Sequence, residues 1–198
     1  MTESDDLREL TECYPALGDL ARFSRLLARI SWFRDIGDPL DAEVSALAEG
    51  YAAGLGFPDA APAVVLCWED ARPALETRDD NSPAWEAEEQ LRMGLLQRAR
   101  EAIPDPVLAT ALGRIGEVAA AAAEAGAQDI ARFLQISDPV FPRLATGSAV
   151  QAAHQAGLLL AAAAGAAAEA DHPFALKLQL FERGRWPLGI AGLSLNIF

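Results

Sequence analysis

AVQAAHQAGLLLAAAAGAAAEA, residues 149–170, contains no proline and one charge, Glu169. Alanine is the best helix former because it loses no side-chain entropy on entering a helix. A helix built mainly of Ala and Gly has a thin surface, so neighbouring backbones can approach it closely. The stretch therefore predicts a buried central helix in an all-α protein. Its length is near the ~20 residues that a bilayer-spanning helix needs. However, Gln151, His154 and Gln155 interrupt it, and neither an aromatic belt nor an arginine cluster marks its ends. A buried helix in a soluble fold is expected, with no membrane partner.

Outward from this stretch, short polar residues before prolines mark helix starts. Asp38-Pro39, Ser82-Pro83, Asp105-Pro106 and Asp138-Pro139 fit this pattern, and Asp171-His172-Pro173 is a further candidate. The polar side chain caps a free N–H, and proline at the first helical position has none to waste. Helices are expected over 3–13, 15–35, 39–55, 83–103 and 106–125, with Gly126 breaking the last and a short helix following to Leu134. Another runs from Pro173 to Gly184. The DPV openings at 105 and 138 sustain no repeat period. Altogether the 198 residues read as a single domain of seven or eight helices arranged as a bundle, with an extended tail at 186–198.

Two segments resist a helical reading. The apolar run Ala63-Val64-Val65-Leu66-Cys67-Trp68 fits a short strand or a buried helix, so 62–68 stays open between them. Helix is favoured because no partner strand lies nearby in sequence. In the tail, Leu193, Leu195 and Ile197 alternate with Ser194 and Asn196, a strand-like period of two. So apolar a tail would aggregate if free. It should dock into a groove of the body or into a second copy, making a homodimer through the tail one expectation; a hairpin running from Phe174 to the end is the alternative local reading.

The net charge of −13 argues against nucleic acid as a partner, because phosphate backbones demand a basic patch and none is visible. Lys177 is the only lysine. Arginine with so little lysine, beside abundant Ala and Gly, is the composition that a GC-rich bacterial genome favours. The opening MTESDDLREL is acidic where a signal peptide would be basic and then apolar. Cys13 and Cys67 lack metal-ligand spacing, and they read as free thiols in a reducing cytoplasm.

Little chemistry is legible. The acidic stretch 69–89 offers Asp79, Asp80, Glu86 and Glu89 as a candidate cation-binding set. Glu86 and Glu89 lie three apart and share a helix face, which suits a hard cation. Glu86-x-x-Glu89 resembles one half of the paired acidic motif of all-α nucleotide pyrophosphohydrolases; the second half, Glu-x-x-Asp downstream, does not follow. Glu169-x-x-His172 has the spacing of a di-iron ligand pair, but Gln151 replaces the glutamate that a second motif ending at His154 would need. Phosphate-binding, dinucleotide-binding and nucleophile-elbow motifs are absent. Arg185 and Trp186 form a distinctive corner that could recognise a peptide or an acidic group.

No cofactor is implied, no metal site is assigned and catalytic residues stay unknown. These features point to a cytoplasmic interaction, adaptor or immunity-like protein without catalytic activity. Its expected partner is a protein with a basic surface. The alternative is a metal-dependent all-α hydrolase acting on nucleotides through residues 69–89.

Overall fold

The computed structural model describes residues 12–76 and 82–198, without the side chain of Glu76. The described chain is mostly helical, with seven helices and a small three-stranded sheet. In chain order the elements are α1 (Pro15–Leu27), α2 (Ala42–Gly54), β1 (Ala61–Val64), α3 (Trp68–Glu76), α4 (Pro83–Ala102), α5 (Asp105–Phe133), α6 (Val140–Ala162), α7 (Pro173–Glu182), β2 (Pro187–Ala191) and β3 (Ser194–Ile197). The helix expected over 3–13 falls mostly outside the described residues; Glu12 and Cys13 are helical.

The closest association is between α5 and α6. Ala119, Ala123 and Ala127 of α5 and Ala145, Ala149, Ala152, Ala153 and Ala156 of α6 are all buried in one core. The central helix is thus where the alanines predict it, but it begins earlier and ends at Ala162. Residues 163–170 leave the helix through Ala164 and Gly165, both at positive φ. Propensity alone would carry the helix on; it stops once its neighbours stop offering a surface to bury it. Long α5 passes through Gly126 without a break. There a Cβ would sit 2.9 Å from the Trp32 carbonyl oxygen. The glycine serves close packing, and the surrounding alanines carry the helix past it. Among the described residues, α5 is the one helix long and apolar enough to cross a membrane, by length and composition.

Other boundaries shift for identifiable reasons. α1 stops at Leu27, eight residues short, and the chain turns so that Trp32 and Phe33 enter the core. Trp32 Nε1 donates to the Leu27 carbonyl, which a continuing helix would have used itself. α2 starts after Asp41, whose carboxylate accepts from Val44 N, so the cap is not Asp38. Ser82 and His172 do cap α4 and α7 as expected. α7 ends with Gly184 at φ 72°, where Arg185 N donates to Leu180 O. That six-to-one bond closes the helix, and glycine accepts the left-handed turn without a Cβ clash.

The sheet corrects two expectations. Residues 61–64 form a strand, β1, despite the lack of a neighbouring partner in sequence. Its partner is β3, which pairs with it in parallel from Ala61↔Ser194 to Val64↔Ile197. β1 is a partly exposed edge strand, with Val64 and Leu66 open to solvent. The tail is not a single extended segment. It folds back as the hairpin β2–β3, giving the strand order β1-β3-β2. Leu188, Leu195, Ile197 and Phe198 are buried within the chain itself, so the apolar tail docks into its own body.

Arg185 and Trp186 lie inside. Arg185 donates to the backbone oxygens of Asp35, Asp38 (2.8 Å) and Pro39 (2.9 Å). Trp186 is fully buried and stacks on Trp68, with ring centroids 6.2 Å apart. Both residues tie the tail to the 28–41 connection and to α3.

Two glycines of α5 should respond oppositely to alanine. Gly126→Ala forces a Cβ against the Trp32 backbone and should cost about 1–3 kcal/mol. At Gly113 a Cβ meets nothing, so Gly113→Ala should stabilise by about 0.5–1 kcal/mol. Urea unfolding of both variants measures the contrast.

Candidate functional site

The buried stripe of α4 runs through Leu95 and Ala99, with Leu91 half-buried. One turn further toward the N-terminus the same face carries Glu88, which is only 6% exposed. A charge at a core position must find partners, because an unpaired ion there is prohibitively costly. Glu88 finds three. Lys177 of α7, 5% exposed, places Nζ 2.8 Å from Oε1 and 2.9 Å from Oε2. Tyr51 of α2 donates its hydroxyl to Oε1, and Gln155 of α6 donates Nε2 to Oε2 at 2.9 Å. The Lys177 ammonium also lies 5.8 Å from the centre of the Tyr51 ring.

Four hydrogen bonds thus fill the roughly four acceptor positions of the carboxylate. Burial by itself would push the Glu88 pKa up. The Lys177 charge and the hydrogen bonds from Lys177, Tyr51 and Gln155 outweigh it and hold the pKa at about 2. Glu88 is a fixed anion and Lys177 its fixed counterion. The pair joins α4 to α7, while Tyr51 and Gln155 extend the join to α2 and α6.

This network forms part of the floor of a cleft of about 660 Å³. Tyr51, Leu55 and Phe57 form one wall, Ser82–Trp85 with Ala74 another, and β2 from Pro187 onward with Asn196 a third. Three aromatic side chains and several aliphatic ones surround a few polar groups. That is the usual make-up of a site that takes a ligand or a chain segment.

Of the candidates read from the sequence, Glu86, Glu89, Arg185 and Trp186 do not line the cleft. Asp79 and Asp80 lie outside the described residues. Glu86 is exposed and pairs with no cation among the described residues. Glu89 is held by Arg92 through bonds of 2.7 and 2.6 Å, which keep its carboxyl below the usual range. Among the described residues, no three His, Cys, Asp or Glu side chains gather as a metal site would require. His172 is a buried cap that accepts from Phe174 N through Nδ1. His154 is half-buried, and burial followed by the Arg92 charge lowers its pKa. Cys67 is half-buried and hydrogen-bonds Asp70 rather than packing as a small core residue.

Glu88 and Lys177 were the residues missed. Two signals could have found them: a glutamate continuing an apolar stripe, and a lone lysine on the Phe174–Phe181 face of α7. Compared with family models, curated proteins and solved structures, the chain matches none of them.

The ion pair should govern stability. Lys177→Met strands an unpaired carboxylate and should cost about 3–5 kcal/mol in urea unfolding at neutral pH. Because the folded pKa of Glu88 lies below the ordinary 4.5, its stabilisation is full above that value. It is lost as pH falls toward 2. Thermal unfolding between pH 5 and 2 should fall less steeply for Glu88→Gln than for the wild type.

Proposed function

We propose that this chain is a non-catalytic interaction protein that holds a partner in the cleft between α2, the start of α4 and the hairpin. The observation that carries this reading is the state of the cleft floor. The one carboxylate among the described lining residues, Glu88, has all its acceptor positions occupied and is held ionised, so it has neither a proton to give nor a ready lone pair to take one. What remains is a rigid, shaped and largely apolar surface, which suits binding. The acidic balance of −13 favours a partner with a basic surface. A cytoplasmic setting is consistent with two cysteines left as free thiols. A bundle-like helical body would serve as the frame that holds the cleft open.

Asn196 stands at the cleft wall and is only partly buried, so arginine there should fill the cleft while sparing the core. Immobilised wild-type chain and Asn196→Arg can be compared for capture from native lysate, with circular dichroism confirming the fold of both. Partners held by the wild type should be lost by the variant. Equal capture, or turnover of a nucleotide substrate by the wild type, would overturn the reading.

A further inference from the structure

The alternation of the ladder identifies a strand edge inside this cleft that pairs with no other strand among the described residues. Ala61 N donates to Leu193 O and Val65 N to Ile197 O, so odd-numbered residues of the last strand face β1. Trp186 and Phe198 exchange both backbone bonds, so even-numbered ones face β2. The register pairs Gly189↔Asn196, Ile190↔Leu195 and Ala191↔Ser194, with an irregularity between Pro187 and Gly189. Ile190 is therefore opposite a residue that faces away from it. Its N–H and C=O point outward from the sheet, as those of every second residue on an edge strand do.

Leu188 to Gly192 line the cleft, so this outward edge is the cleft wall. The cleft also reaches both faces of the sheet. Leu55 and Tyr51 pack in the cluster with Leu195, whereas Asn196 alternates to the opposite face. A space touching both faces runs along the edge between them. The other edge of the sheet is guarded: its outward residues are Pro62, which has no N–H, and Val64.

Resting on the reading above, we propose that the cleft takes an extended, basic segment of a partner protein, which adds as a strand to the outer edge of β2. Backbone pairing with Ile190 supplies the anchor, and the aromatic walls take alternate side chains. The charge follows from the balance of the chain, −13, and from the exposed carboxylates close in sequence to the lining residues. Asp59, two residues beyond Phe57, and Glu86, next to Trp85, are exposed, and neither forms an ion pair among the described residues. Among the described residues lining the cleft the one cation is Lys177, and it is matched by Glu88.

The test uses the full chain and an acetylated decapeptide alternating valine and lysine, followed by tryptophan fluorescence and by amide exchange at Ile190. The lysine peptide should bind at least tenfold more tightly than its glutamate counterpart. At saturation, exchange of the Ile190 amide should slow at least tenfold. A peptide with its central amides N-methylated should lose at least tenfold in affinity. Unchanged Ile190 exchange at saturation, or equal affinity of the glutamate peptide, would overturn the proposal. So would protection of Ile190 that grows with protein concentration alone and accompanies a doubled mass, since a second copy would then be the occupant. If Asn196→Arg still abolishes partner capture while Ile190 is unmoved by peptide, the edge pairing fails and the binding cleft stands. If the variant captures normally while peptide protects Ile190, the edge pairing stands and the assigned role falls.

Discussion

The contact between α5 and α6 is made on alanine, and the rest of the molecule is arranged around that constraint. Side chains this small let two long helices approach closely, but they bury little apolar area each. Larger residues must then make up the deficit at the margins of the seam. They do so in one aromatic group, where Phe33 touches Trp32, Phe181 and Trp186, Trp186 touches Trp68 and Phe198, and Trp68 touches Phe141. The group draws on five separate parts of the chain, so the tail, the 28–41 connection and α3 are recruited to one place. Arg185 reinforces this by donating to three carbonyl oxygens of that connection.

A second centre lies where α2, α7 and the sheet meet. Val44, Ala48, Tyr51, Leu180, Leu195 and Ile197 form a smaller apolar cluster there. The Glu88–Lys177 pair bridges the two centres. Replacing such a pair by apolar residues of similar volume is often neutral or stabilising. What the pair offers instead is direction. Four hydrogen bonds to one carboxylate join α2, α4, α6 and α7 beside the cleft. Beside its floor lies β2, an edge strand among the described residues.

Much of the helical content was legible because capping and propensity are local. Ser82 and His172 act where their sequence neighbours place them, and Gly184 ends α7 as its position suggests. The alternation of Leu193, Leu195 and Ile197 marked the last strand for the same reason. The reading lost accuracy wherever a distant residue decided. β1 pairs with a strand some 130 residues later, so the search for a neighbouring partner could not find it. Gly126 looked like a helix breaker because Trp32, which requires its missing Cβ, is far away in sequence. The acidic stretch drew attention to Glu86 and Glu89, whereas the structurally decisive carboxylate is the one between them.

By itself, then, the amino-acid order determined which segments coil, where several of them start, and that the interior would be packed on alanine. These follow from backbone entropy, capping and side-chain size, all of which act within a turn or two of helix. Only the tertiary structure decided that the tail closes a sheet with residues 61–64 and that Glu88 and Lys177 meet. It also decided that Arg185 and Trp186 turn inward. Those outcomes depend on which surfaces remain unburied once the helices pack, and that is a property of the whole chain rather than of any window within it.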